Sequence, residues 1–393
     1  MSKPDIRSLH DYLQVFELRI KEIEVIPVDL PRSKVLRLAR YGNLGEGEPF
    51  EFILTRVHTD EGITGVGEAP PLPPLSPESQ PVVAAVIERW LAPNILGLDP
   101  FETEEIWARM DYYAPTYSMA KAAIDMALWD IVGKALGVPV HRLLGGSPPE
   151  KIPNVALIGL GEPDEVASTA EGLVAGGYTG IRLKIGPGKD VECTAAVREA
   201  VGDEVSLRVD CNQGYGVADA VKMIRAIEPY GVELVEQPTV WWDFGSLAEV
   251  AAAVDTPIMP HESMYLLSDV KNLMDAGAVE VLGLKTYRPW GGVTGARRLL
   301  EMARVMNVPC MFHDDVEMGV SLAAATHLIS AYRRVITHKC ELSGYPEWMK
   351  DDVVKKPIRF EGGFVHVPDG PGLGVDIDDS KLEKYAKEIV TLR

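Results

Sequence analysis

Three acidic residues recur along the chain at a step of 26 residues: Asp210, Glu236 and Glu262. Each closes a short apolar run, SLRVD, VELVE and PIMPHE. Lys184 closes a similar run, GIRLK, one unit earlier, and Lys285 closes VLGLK one unit later. Oxygen donors select a hard divalent cation, so three converging carboxylates would hold Mg²⁺, with Mn²⁺ as the second choice. Two lysines beside such a cation would act as acid and base. The cation would stabilise the enediolate left when a proton leaves the carbon next to a carboxylate. Taken singly, each acid or lysine has a blander reading as half of an ion pair at a barrel rim. It is the ordered set that favours chemistry.

The third metal ligand is open, because His261 sits beside Glu262. Adjacent residues on a strand point to opposite faces, so only one of the two faces the metal unless the strand has ended. Arg182, two residues before Lys184, shares its face, and a cation beside an amine favours the neutral, basic form. His313 ends strand seven, within CMFHDD, and is a catalytic candidate or a supporting residue. Asn212 shares a face with Asp210 and would reach substrate or a metal-bound water. Glu341 ends KCELSG. It would bond the substrate as a protonated acid, or pair with Lys339 or Arg288. Arg37, Arg40 and Tyr41, in a loop, are candidate substrate contacts.

These residues need elements that bring strand ends together. From Val155 onward, strand and helix patterns alternate, with strands ending near Leu160, Lys184, Asp210, Glu236, Glu262, Lys285, His313 and Glu341. Eight strands at such steps predict a closed parallel barrel, whose strand ends converge on one face. Residues 1–150 read as an α+β domain. Strands are expected at 20–29, 50–59 and 65–68, and helices at 79–90, 101–111 and 117–136. Loops 30–48 and 69–78 would close over the barrel mouth. Residues 151–356 read as the barrel and 357–393 as a segment packing back on the first domain. Residues 1–16 read as a loosely held extension.

Composition narrows the class. The net charge of −19 comes with no Lys/Arg-rich block, which argues against nucleic acid. No GxGxxG or GxxxxGK[ST] motif follows a strand, so nucleotide phosphate binding is not expected. The four cysteines lack metal-type spacing and read as reduced. No apolar run is long enough to cross a membrane, and the first residues lack an apolar signal core. A cytoplasmic enzyme is the expectation.

The motifs RLK at 182–184, DCNQGY at 210–215, VEQP at 235–238, GLK at 283–285 and PDGPGLG at 368–374 stand in order and spacing that resemble the enolase superfamily. Within it, the likeness is to the branch of muconate-lactonising enzymes, dipeptide epimerases and o-succinylbenzoate synthases. It extends to DEGITGVGEA and AAIDMALWDIVGKALGVPVHRLLGG in the first domain. The resemblance implies a (β/α)7β modified TIM barrel with an N-terminal α+β capping domain, Mg²⁺ on three acids, a small carboxylate substrate and a homo-oligomer. The usual Lys-x-Lys of strand two is here Arg182-x-Lys184, and the usual Asp-Glu-Ser of strand five is His261-Glu262-Ser263. In the mandelate racemase branch a Glu corresponding to Glu262 is the ligand, so Glu262 is assigned, with His261 as the alternative. His313 falls where mandelate racemase carries its basic histidine, but the Asp expected to partner it on strand six is replaced by Lys285. The Asp-x-Asp of dipeptide epimerases is absent from CELSGYPE.

The reading is an isomerase, a racemase, epimerase or cycloisomerase, with Lys184 and Lys285 on opposite faces of the substrate. A dehydratase of acid sugars or hydroxy acids, with His313 as the acid, is the second reading. A catalytically degenerate barrel acting in binding or assembly is the third.

Overall fold

The computed structural model describes residues 18–44, 47–147 and 151–393. The extension expected at 1–16 lies outside them. The alternating run from Ile20 forms strand Ile20–Leu30, which pairs antiparallel with Phe50–Thr59. That strand pairs in turn with Thr64–Ala69. The connecting turn uses Gly62 at φ +79, a left-handed position that suits glycine. Helix Ser118–Leu136 lies across this sheet and ends at Gly137, whose φ of +69 closes the last turn. Its close approach depends on two glycines. A Cβ on Gly67 would sit 1.8 Å from the Ala123 carbonyl oxygen, and one on Gly65 would sit 2.0 Å from that of Ala127.

The segment 30–48 is more ordered than the long loop expected. Leu36–Leu38 and Gly42–Leu44 pair as a small hairpin. Arms of three residues are too short to show a period in an Arg- and Gly-rich stretch.

The barrel begins with strand Ala156–Ile158 and continues through Gly180–Lys184, Ser206–Asp210, Val232–Glu236, Ile258–Met259, Leu282–Leu284 and Cys310–Phe312. A helix follows each of these seven strands. The first five pair in parallel in sequence order, and the sixth pairs with the seventh. Cys340 and Glu341 supply the eighth position, bridging in parallel to Asn154 and His313. The Glu280 amide donates to the Ile258 carbonyl at 3.2 Å and joins the fifth strand to the sixth. Inward-facing Leu234, Met259, Val281 and Met311 form an apolar plug in the barrel, and Arg208, wholly buried, lies against Met311 Sδ at 3.0 Å. This plug floors the mouth.

The cap is bound to the barrel by buried carboxylates at helix starts, where unpaired amides and the helix dipole favour negative charge. Glu68 accepts from the Met318 and Ser321 amides, each at 2.8 Å, at the start of helix Gly319–Ala331. Asp125 accepts from the Thr294 amide at 2.9 Å, at the start of helix Gly292–Met306. Asp130 joins Val66 of the cap sheet to Leu373 of the PDGPGLG motif. The C-terminal Val390–Leu392 adds a strand beside Ile23–Val25. All four cysteines are free and buried. No helix among the described residues is long and apolar enough to cross a membrane. Replacement Gly67→Ala will push the strand off the helix and cost about 1–3 kcal/mol, the usual range for overpacking, read as a lower urea midpoint.

Candidate active site

Register sets the site. The ladder places Lys184 opposite Asp210, and Asp210 opposite Glu236. Side chains on these three neighbouring strand ends therefore stand at one level. Arg182 points the same way two residues earlier and is buried. Its guanidinium binds three carboxylates: Asp210, Glu236 Oε1 at 2.6 Å and Glu341 Oε1 at 2.8 Å. Lys184 Nζ donates to Asp210 Oδ2 at 2.5 Å. The other oxygen of Asp210 accepts from the Asn212 amide at 2.8 Å, and the Asn212 side chain donates to Glu262 at 3.1 Å. Asn212, Gln213 and Gln237 hold φ of +40, +65 and +38, so the chain turns sharply just past Asp210 and Glu236. The partners expected for Glu341 are corrected. Lys339 bonds the Thr179 carbonyl and Arg288 bonds that of Leu75, while Glu341 is taken by Arg182.

Strand five ends at Met259, two residues before His261. Alternation therefore no longer applies at His261 and Glu262, and both are buried in the mouth. This is the stated exception to alternation, a strand that has already ended. His261 Nδ1 lies 2.9 Å from Glu236 Oε1 and 3.3 Å from Glu262 Oε2. Gln237 holds the turn by accepting from the His261 and Ser263 amides at 2.8 and 3.1 Å. The His313 ring packs at 4.4 Å from that of His261, with its Nδ1 at 3.9 Å from Glu236 Oε1. Gly283 makes room for it: a Cβ there would sit 2.8 Å from His313 Nε2.

Lys285 forms an ion pair with Asp315, a residue not singled out from the sequence. Tyr287 buttresses that acid, donating its hydroxyl to Asp315 Oδ2 and accepting from the Asp315 amide, both at 3.0 Å. The available signal was the tandem acid in HDD, just past the strand that neighbours Lys285.

Burial and neighbours pull these groups apart. Burial pushes Glu236 up, but Arg182 and His261 outweigh it and hold the carboxyl well below its usual range. Glu262 is likewise brought to about 2, with His261 overcoming burial. Burial raises Glu341, with Arg182 opposing, and raises Asp210, with Glu236 adding to it. Burial lowers Lys285 against the pull of Asp315. It also holds His313 well below the ordinary histidine value, aided by His261.

A pocket opens beside these groups. Phe50, Leu72 and Trp348 line its apolar side, and Lys184, Asn212 and His261 its polar side. Tyr41 reaches the barrel, where its hydroxyl accepts from Gln213 Nε2 at 2.7 Å. Arg40 is exposed and stacks at 5.5 Å over the Trp242 ring. Arg37 is exposed and meets the barrel through its carbonyl, which accepts from the Leu160 amide.

A divalent cation suits this donor set. Glu236 Oε2, Glu262 Oε2 and Asn212 Oδ1 are buried acceptors without a hydrogen-bond partner, a state that normally has a reason. Among the described residues, Glu236, His261 and His313 bring ligating atoms within 4.8 Å of one another. Asp210, Glu236 and Glu262 do not form such a group.

A parallel barrel under an α+β cap, with lysines and acids at its strand ends, defines an enolase-type protein. Residues 165–381 match the family model "Enolase C-terminal domain-like", and residues 44–145 match "Mandelate racemase / muconate lactonizing enzyme, N-terminal domain". The chain belongs to the mandelate racemase/muconate lactonizing enzyme family of the enolase superfamily. It is 28% identical over 373 residues to an N-succinyl-L-Arg/Lys racemase of Bacillus cereus, covering 93% of this chain and 98% of the relative. It is 30% identical over 376 residues to a chloromuconate cycloisomerase of Delftia acidovorans, covering 94% and 100%. A crystal structure of a dipeptide epimerase from Cytophaga hutchinsonii, complexed with Mg and the dipeptide D-Ala-L-Val, superposes with a TM-score of 0.87 at 25% identity, covering 95% and 100%. Replacement Arg182→Leu will leave three buried carboxylates without their shared cation and cost about 3–5 kcal/mol, seen as a lower denaturation midpoint.

Proposed function

We propose that the protein is an isomerase that removes and returns the proton α to a carboxylate. The observation that carries this reading is the placement of Lys184 and Lys285. They stand at the ends of strands two and six, on opposite sides of an eight-stranded mouth, and both are buried. One amine in its neutral form takes the α proton and becomes an ammonium. The electron pair moves into the carboxylate to give an enediolate, and the other lysine, as ammonium, delivers a proton to the opposite face. Racemisation and epimerisation share this first step, cycloisomerisation reaches the same kind of enediolate by ring closure and ends on its protonation, and relatives named for each kind support the class.

Asp210, Glu236 and the strand-five pair His261 and Glu262 are the groups we assign to a divalent cation, Mg²⁺ or Mn²⁺. When bound, it supplies positive charge beside the developing oxyanion. Arg182 holds the acids in register, and Asp315 orients Lys285. Asn212 and Glu341 face the substrate, and Tyr41 with Arg40 lies at the cap edge of the mouth. The substrate is a small carboxylate.

Carboxylate candidates incubated with the enzyme in D₂O and followed by proton NMR will show loss of the α-proton signal with no loss of water from the substrate. Lys184→Ala and Lys285→Ala will each lower net turnover by about 10²–10⁴-fold. A 2-oxo acid product, or full turnover by either variant, would contradict the assignment.

A further inference from the structure

We propose that the mouth takes a borderline transition cation, bound through Glu236 and the imidazoles of His261 and His313, in preference to Mg²⁺. This rests on the reading of the mouth as a cation site and adds the kind of cation. Two observations lead there. The first is that Asp210 is already committed. One oxygen accepts from Lys184 and from Arg182, and the other from the Asn212 amide. Asp210 can therefore join a three-carboxylate cage only by sharing oxygens that already accept from Lys184, Arg182 and the Asn212 amide. The second is where the uncommitted donors lie. His261 Nε2, both ring nitrogens of His313, Glu236 Oε2 and Glu262 Oε2 are buried without a hydrogen-bond partner.

Geometry agrees. Donors at about 2.1 Å from a metal, subtending 90–109°, lie roughly 3.0–3.4 Å apart. The observed separations from Glu236 Oε1, the oxygen that also accepts from Arg182, are 2.9 Å to His261 Nδ1 and 3.9 Å to His313 Nδ1, and they straddle that range. Small side-chain rotations would bring the set to bonding distance. Nitrogen donors also change selectivity. Mg²⁺ favours oxygen and keeps much of its water, whereas imidazole suits Zn²⁺, Co²⁺ and Fe²⁺, and affinity rises from Mn²⁺ towards Cu²⁺. The plainer reading makes both histidines packing residues. That reading leaves several buried polar atoms unmatched in one place, at about 1–3 kcal/mol each.

The test uses the full chain stripped with a chelator. Titration with Co²⁺, followed by visible absorption, is set beside calorimetric titration with Mg²⁺. The expected result is d–d bands of a nitrogen-containing site and a Co²⁺ affinity roughly 100-fold or more above that for Mg²⁺. His261→Asp and His313→Gln, checked for folding by circular dichroism, will each weaken Co²⁺ binding by roughly tenfold or more and shift the bands. His261→Asp will also strengthen Mg²⁺ binding. Equal affinity for the two cations in the native chain overturns the proposal, as do folded variants with unchanged Co²⁺ affinity and spectrum. If a variant fails to fold, the native affinity ratio and spectrum decide. Preferential Co²⁺ binding without α-proton exchange on any carboxylate would count against the isomerase reading alone. Exchange with Mg²⁺ as the preferred cation would overturn this inference alone.

Discussion

The mouth of the barrel is organised around one buried guanidinium. Arg182 holds Asp210, Glu236 and Glu341 on three different strands, in a place where unpaired charge would be costly. Arginine suits the task because its planar fork can serve three acids at once, which an ammonium at the same position would do less well. Around it, four cations, Arg182, Lys184, Lys285 and Arg288, stand among six carboxylates, Asp210, Glu236, Glu262, Asp314, Asp315 and Glu341, all with buried side chains. Burial raises Glu341 against the pull of Arg182, which favours its neutral form. The remaining imbalance suits an added positive charge, which links the stability of the mouth to its chemistry.

The rest of the fold serves that cluster by fixing levels. Parallel register aligns Lys184, Asp210 and Glu236, and the apolar plug beneath them keeps the lower barrel packed. Gly283 admits the His313 ring, while Gly65 and Gly67 seat the cap helix. The cap is joined to the barrel by acids at helix starts rather than by apolar packing alone. Through the small hairpin and Tyr41, it also brings polar groups to the edge of the mouth. A shift of the cap would therefore alter the edge of the mouth before it disturbed the acids.

Much of this was legible in the sequence, for a physical reason. Strand-ending residues in a parallel barrel recur with the length of one strand–helix unit, so Lys184, Asp210, Glu236 and Lys285 announced themselves by spacing. Strand five did not obey that logic. It stops at Met259, and the two residues that follow Pro260 both turn inward, so alternation could not choose between His261 and Glu262. Asp315 was missed because its role depends on a cross-strand approach to Lys285, and pairing across strands leaves no trace in local pattern. The hairpin at 36–44 was missed because its arms are too short to show a period. Glu341 was placed in the mouth, but its partner came from strand two rather than from its own surroundings.

The central claim is that the mouth is a cation site flanked by two proton-transferring lysines, with Arg182 as a permanent counter-charge. Anomalous diffraction from crystals soaked with Mn²⁺ and a small carboxylate tests it most directly. The account predicts one anomalous peak against the free oxygen of Glu236, with an imidazole of strand five or seven at about 2.1 Å. Lys184 and Lys285 should then stand on opposite faces of the α-carbon, and Arg182 should still hold Asp210. No peak in the mouth, or both amines on one face of the bound carboxylate, would contradict it.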